Sequence, residues 1–346
     1  RSKLTKVSKI GEGLFSEVFC IIDGDGGKSI WKIIPVNGDV KYNGSFQKSW
    51  QDIYSELLII KCISDHSIKN EYFPSIFSLN ALKGKFPPKL VKAWNESDAF
   101  KTSENDHPKK FKNTQNYIVI ESKYYGEPLD KLEKIDIDQA LSIFIQVCLG
   151  LSIAEKEMKF EHRDLHTGNI LCLFTNYNEE RDIKKSPQES GFEFDFISCG
   201  IQITIIDFSL SSMYTASHHI AIDLCDEVSL FEGPDDEYQF EVYRMMRTAL
   251  DNQWVNQTNL RTNLIWLHYL LDKLLEKVGQ EMLAVDSDGN LNIEGKSIED
   301  CKVSKLLLMS EWKEQMLNDE NTNSASEFIK YFVIPNTKIL TICRSK

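Results

Sequence analysis

Residues 161–171 read Glu161-His162-Arg163-Asp164-Leu165-His166-Thr167-Gly168-Asn169-Ile170-Leu171, and this stretch decides the fold. An aspartate followed five positions later by an asparagine, set between apolar segments, is a phosphoryl-transfer signature. In such a loop the aspartate takes the proton of the attacking hydroxyl, and the asparagine holds a magnesium ion. Asp164 is therefore the candidate catalytic base and Asn169 a candidate metal ligand. The competing interpretation is a polar loop that merely caps a core helix, and the remainder of the chain decides between them.

The 346 residues, 42% hydrophobic and 11% aromatic, can bury the cores of two sub-domains. The chain starts at Arg1 rather than Met and reads as a fragment of a longer protein. No signal peptide or membrane span is expected: the best apolar run, 264–275, is interrupted by His268 and Asp272. Eight scattered cysteines without a Cys-x-x-Cys pair read as reduced thiols of an intracellular protein. A formal net charge of −12 argues against direct nucleic-acid binding and favours a basic partner.

Upstream, residues 10–36 alternate short apolar runs with glycines, which predicts three antiparallel strands. Gly11 and Gly13, flanking Glu12, would let the first hairpin approach phosphates, and Val18 would cover an adenine. The usual third glycine is Ser16. Lys32 lies on an apolar strand, where an unpaired charge would be costly, so it needs an acid. Glu56 can supply it from a helix predicted over 45–63 by Ile53, Leu57, Ile60 and Ile63. In the protein-kinase template this pair orients the nucleotide phosphates. Residues 64–116 read as connecting loops around short strands, without chemistry.

A strand over 117–121 then leads into a hinge over 122–126. Glu121, Lys123 and Tyr125 are the candidate adenine-edge residues there. Asp136 caps a long predicted helix that runs to Met158 and feeds the 161–171 loop. A strand over 170–174, a charged surface insertion over 175–200 and a strand over 202–206 follow. That last strand ends at Asp207-Phe208-Ser209, which makes Asp207 the second candidate metal ligand. The order and spacing of these features predict an α+β, bilobal, kinase-like fold. Its β-rich N-lobe would span 1–121 and its mainly helical C-lobe 127–346, with an atypical activation segment over 207–237.

The surrounding residues resemble one family, the haspin protein kinases. The resemblance lies in Ile10-Gly-Glu-Gly, Lys32-Ile-Ile, Asn43-Gly-Ser with Gln47-Lys48, and Pro87-Pro88 with Leu-Val-Lys-Ala-Trp94. It continues through Phe160-Glu-His-Arg-Asp-Leu-His166, Ser198-Cys-Gly200 and Ile206-Asp-Phe-Ser-Leu-Ser211. Leu230-Phe-Glu-Gly233, Val242-Tyr-Arg-Met-Met246 and Asn263-Leu-Ile-Trp-Leu-His-Tyr-Leu270 are not general kinase motifs.

The resemblance implies ATP and magnesium as cofactors and an activation segment that does not wait for phosphorylation. It also implies a basic histone tail as substrate, phosphorylated on a threonine near the start of histone H-3, and a nuclear, chromosomal location in mitosis. The acids that would grip that tail are Glu12, Asp226 and Glu227, with Asp223, Asp235 and Asp236, while His166, two residues after Asp164, is a candidate substrate or phosphate contact. Thr167 stands where the family usually has Trp, and Ser229 where an acid is usual. Pro128 occupies the place of an acid past the hinge, with Glu127 and Asp130 close by. Two rival functions share parts of the pattern: a small-molecule phosphotransferase of the aminoglycoside or choline kinase kind, and a pseudokinase scaffold.

Overall fold

The computed structural model describes residues 6–65, 72–175, 183–225, 227–234, 236–282 and 298–341. Two compact units emerge, one drawn from Arg1–Asp65 and Pro74–Tyr124, the other from His66–Phe73 and Tyr125–Lys346.

The first unit is built on β1 (Lys6–Gly13), β2 (Ser16–Ile22), β3 (Lys28–Val36), β4 (Ile76–Lys83) and β5 (Asn116–Lys123). They form one antiparallel sheet in the order β1-β2-β3-β5-β4. Because side chains alternate along a strand, one face carries Phe19, Ile21, Ile33, Tyr117 and Val119. These pack in one core cluster with Leu90, Val91 and Ala93 of α2 (Pro88–Asp98), each buried aliphatic or aromatic side chain stabilising by ~1.5–3 kcal/mol. The sequence pattern missed α2. Pro87-Pro88 looked like a breaker, but Pro88 sits in the first turn, where a missing N–H is harmless.

Helix α1 (Trp50–Asp65) starts later than the periodicity predicted. Ser49 and Asp52 cap its start reciprocally, Asp52 N to Ser49 Oγ at 3.2 Å and Ser49 N to Asp52 Oδ2 at 2.8 Å. The residues before it are committed elsewhere: Tyr42 and Ser45 close a turn, and Gln47 bonds Gln115. Ile53, Glu56, Ile59, Ile60 and Ile63 form the buried stripe of α1.

The second unit is organised on α3 (Ile137–Met158), which begins at the predicted cap with Asp136 and Gln139 forming a full capping box. Among the described residues α3 is the one helix long and apolar enough to cross a membrane, yet 89% of its apolar window is buried within the fold. It supports a small sheet of β6 (Glu127–Pro128), β7 (Ile170–Phe174) and β10 (Ile201–Ile205) in the order β10-β7-β6.

The region expected to be a surface insertion is partly core. It contains a hairpin of β8 (Ile183–Lys185) and β9 (Asp195–Ile197), and Phe194 and Phe196 are buried. Ser142 of α3 donates to the Ser198 carbonyl at 2.9 Å. A short pair, β11 (Met213–Tyr214) with β12 (His219–Ile220), precedes α4 (Tyr238–Ala249), α5 (Arg261–Met282), α6 (Ile298–Met316), α7 (Ala325–Phe328) and α8 (Thr337–Leu340).

Gly126, just before β6, shows where glycine is obligatory. Its φ is +94°, and a Cβ there would lie 2.0 Å from the Cys172 carbonyl oxygen. Gly191 also has positive φ, but a Cβ there meets only the Lys156 ammonium, at 3.5 Å. Gly126→Ala is therefore expected to destabilise by ~3 kcal/mol or more, and Gly191→Ala by ~1–2 kcal/mol, in denaturant unfolding. Equal losses at the two positions would contradict the steric reading.

Candidate active site

The first unit brings several predicted residues into one line. Strand register opposes Gly11 to Val18, Val18 to Lys32, and Lys32 to Ile120, so these four share one sheet face across β1, β2, β3 and β5. That face lies opposite the one covered by α2. Lys32 Nζ reaches Glu56 Oε1 at 3.1 Å, and Glu56 is 2% exposed. The pairing deduced from burial cost is present. A second lysine also reaches the same carboxylate, Lys48 Nζ to Glu56 Oε2 at 3.5 Å, which no local pattern signalled.

The other face of the same hairpin holds a buried charge network. Lys9 pairs with Glu12 and, at 2.8 Å, with Glu17, while its ammonium lies 4.9 Å from the centre of the Trp94 ring. Glu17 Oε1 accepts from Tyr42 Oη at 2.7 Å, Trp94 Nε1 at 3.0 Å and Asn105 Nδ2 at 3.2 Å. Glu12 also accepts from Ser103 Oγ and from the Glu104 amide. Glu12, expected to face substrate, is thus largely committed to bracing the glycine hairpin. Gly13 lies exposed at the tip, and Ser16, in the third-glycine place, is buried with its carbonyl bonded by Asn105. Of the adenine-edge candidates, Glu121 accepts from Ser78 at 2.8 Å, Lys123 is exposed at the end of β5, and Tyr125 is half-buried in the second unit.

In the second unit the 161–171 loop runs from the end of α3 into β7. Arg163 and Asp207 both adopt φ +64°, a conformation rare for non-glycine residues that surrounding contacts must enforce. His162 supplies one of those contacts. Its Nε2 donates to the Ile206 carbonyl at 3.0 Å and its Nδ1 accepts from the Asp164 amide at 3.3 Å, which ties the loop to the residue before Asp207. Burial pushes the His162 imidazole down to about 4, so the ring stays neutral and holds this tautomer.

Asn169 is 8% exposed. Its Nδ2 donates to the Asp164 carbonyl at 2.8 Å, and its own carbonyl accepts from Ile206 N at 2.9 Å. With the amide nitrogen so engaged, Oδ1 is the side-chain atom that could ligate a cation. Among the described residues no group of three or more His, Cys, Asp and Glu could hold a metal alone. One carboxylate and one amide oxygen, from Asp207 and Asn169, do fit magnesium, which completes its shell with water and phosphate oxygens.

Asp164 Oδ1 accepts from Tyr243 Oη at 2.5 Å, and Oδ2 lies 3.5 Å from Asn169 Nδ2 and 4.0 Å from His166 Nε2. Burial pushes the Asp164 carboxyl up to about 7; the Tyr243 hydrogen bond opposes this and the Asp207 charge adds to it. His166 caps the following turn through Gly168 N at 3.1 Å, and burial lowers its pKa despite the charges of Asp207 and Asp130.

The sequence model of one family, described as Haspin like kinase domain, matches residues 1–327. The chain belongs to this family. It is similar to the serine/threonine-protein kinase haspin of Mus musculus, 37% identical over 80% of this chain and 36% of the mouse protein. Similar too are the haspin homologues of Drosophila melanogaster, 36% identical over 80% of this chain and 49% of that protein, and of Arabidopsis thaliana, 35% identical over 78% and 44%. The chain thus spans about a third to a half of the length of these curated relatives.

For a haspin-like domain, the acids expected to grip a basic tail are only partly in view. Asp226 and Asp235 lie outside the described residues. Asp223 is exposed and accepts from Cys225 N at 3.0 Å, and Glu227 and Asp236 are exposed. Asp130, the acid two residues after Pro128, sits beside the loop, its Oδ2 3.6 Å from where a Gly168 Cβ would be.

Glu56→Gln should release Lys32 and raise the KM for ATP about tenfold, the loss of one charge-assisted hydrogen bond. Steady-state kinetics against ATP would show it, and an unchanged KM would contradict the pairing role.

Proposed function

We propose that this chain is the catalytic domain of a haspin-type serine/threonine protein kinase that uses ATP and magnesium. The observation that carries the reading is the 161–171 loop. It holds Asn169 against Asp164 and bonds Ile206, the residue between the end of β10 and Asp207, in a chain of the haspin-like kinase family.

In this reading Lys32, oriented by Glu56, neutralises the phosphates of ATP, under the Gly11–Gly13 hairpin and beside Val18. Glu121, Lys123 and Tyr125 contribute the adenine-edge contacts. Asn169 Oδ1 and the Asp207 carboxylate would hold a magnesium ion, which would offset the charge of the phosphates. Asp164 Oδ2 accepts the proton of a serine or threonine hydroxyl as that oxygen bonds to the γ-phosphorus. The bond from the γ-phosphorus to the bridging oxygen breaks, and ADP leaves.

The proposed substrate is a threonine near the amino terminus of histone H-3, which places the whole protein on chromosomes in mitosis. Support comes from the net charge of −12, from Asp130 beside the loop, and from the exposed acids Asp223, Glu227 and Asp236. Asp226 and Asp235 join them from the sequence reading. Single exposed ion pairs contribute only ~0.2–1 kcal/mol, so several must act together on a basic tail.

Asp164→Asn should lower phosphate transfer by ~10²–10⁴-fold while ATP still binds. Radiolabel transfer together with ATP-dependent thermal stabilisation checks this, and wild-type transfer by the variant would refute the base assignment. The KM for a histone-tail peptide should rise as salt increases from 50 to 300 mM. A salt-independent KM would contradict the acidic-grip substrate assignment.

A further inference from the structure

The Asp164 carboxylate is asymmetric in its surroundings. Oδ1 receives the Tyr243 hydroxyl at 2.5 Å, from a residue 79 positions away, while the nearest polar neighbours of Oδ2 stand at 3.5 and 4.0 Å. Many serine/threonine kinases carry a lysine two positions after this aspartate. Here that position is His166, whose Nε2 is beyond hydrogen-bond reach of Asp164 and whose Nδ1 is spent on the Gly168 amide.

Tyr243 is held as a donor. Gln239, one helical turn earlier on α4, gives its Nε2–H to the Tyr243 oxygen at 3.3 Å, which leaves the phenolic proton directed at Asp164. The ring is 3% exposed and packs edge-on against Trp266, centroids 5.4 Å apart, and Trp266 Nε1 in turn reaches Met246 Sδ at 3.2 Å. Val242, Tyr243 and Met246 are the buried stripe of α4, so the hydroxyl is placed by core packing. Burial and the neighbouring carboxylate hold the phenol's pKa far above its ordinary value, which keeps the proton on Tyr243.

We infer that Tyr243 is a positioning residue for phosphoryl transfer: its hydroxyl fixes Asp164 through Oδ1, so that Oδ2 is the oxygen aimed at the substrate hydroxyl. This inference rests on the proposed function, with Asp164 as the base. The substrate proton passes to Oδ2 and the Tyr243 proton stays where it is. Tyr243 touches neither substrate nor nucleotide in this account and acts through the orientation of the carboxylate alone.

The test is a kinetic cycle on the whole chain, with ATP, magnesium and a histone-tail peptide, using wild type, Tyr243→Phe, Asp164→Asn and the double variant. Tyr243→Phe keeps the ring against Trp266 and is expected to lower kcat about tenfold, the scale of one hydrogen bond to a charged group. The KM for ATP and for peptide should stay within about twofold. In the Asp164→Asn background the same change should cause no further loss, because groups that act as one unit are not additive.

Gln239→Met, which leaves the ring in place and removes the orienting amide, should lower kcat in the same direction by about threefold. It decides the matter should Tyr243→Phe fold poorly. Unchanged kcat in both single variants would overturn the inference. So would a loss carried by KM, or an equal proportional loss with and without Asp164. Transfer that is abolished by Asp164→Asn yet indifferent to Tyr243→Phe would remove the Tyr243 role and keep the proposed function. Absence of transfer by the wild type would remove both.

Discussion

Arg163 carries its charge with 0% exposure, and the geometry of the loop depends on how that charge is met. Glu161, two residues earlier and equally buried, faces it at 3.3 Å. The guanidinium also donates to the Trp254 carbonyl at 2.8 Å and to the Gln257 carbonyl at 3.4 Å. Glu161 in turn accepts from Asn259 N and Thr262 Oγ1, and Asn263 Oδ1 accepts from His162 N at 2.9 Å. Removing one partner from such a pair leaves an uncompensated buried charge at ~3–5 kcal/mol, enough to hold Arg163 in its left-handed backbone conformation. The start of α5 and the segment before it are thereby bound to the loop that carries Asp164. The same bonds commit the guanidinium to Glu161 and to two backbone carbonyls.

A second constraint of the same kind operates in the first unit. Lys9, Glu12 and Glu17 form a buried cluster with Tyr42, Trp94 and Asn105 on one face of the glycine hairpin, and the opposite face carries Gly11, Val18 and Lys32. The sheet, α2 and residues 103–105 all contribute hydrogen-bond partners to this network, and Glu17 Oε2, which accepts no hydrogen bond among the described residues, meets the Lys9 ammonium at 2.8 Å. The hairpin is therefore shaped from behind by charge pairing. Ser16, in place of a third glycine, fits because it is buried against that network rather than facing the open tip.

Period-two alternation in 10–36, the Asp136 cap and the spacing of Asp164, Asn169 and Asp207 were legible in the sequence because each is a local rule with a local cause. Lys32 and Glu56 were legible for a different reason: a lysine on an apolar strand demands a partner, and few acids were available on a neighbouring apolar stripe. Helix α2 was obscured because its polar composition and double proline look like a loop, whereas its four buried residues act through tertiary packing. The β8–β9 hairpin was obscured by the charges around Phe194 and Phe196. Hydrogen bonds spanning 79 and 91 residues, Tyr243 to Asp164 and Ser103 to Glu12, have no local signature at all. They change the site most, since one steadies the candidate base and the other turns a presumed substrate acid into a structural brace.

The loop that carries Asp164 has its strained backbone held by the buried Arg163–Glu161 pair. The central claim is tested most directly by incubating the protein with ATP, magnesium and core histones and mapping phosphorylated residues by mass spectrometry. The account predicts phosphate on a threonine near the amino terminus of histone H-3, absent when Asp164 is replaced by Asn. Phosphate confined to other sites, no incorporation, or incorporation that survives Asp164→Asn would contradict it.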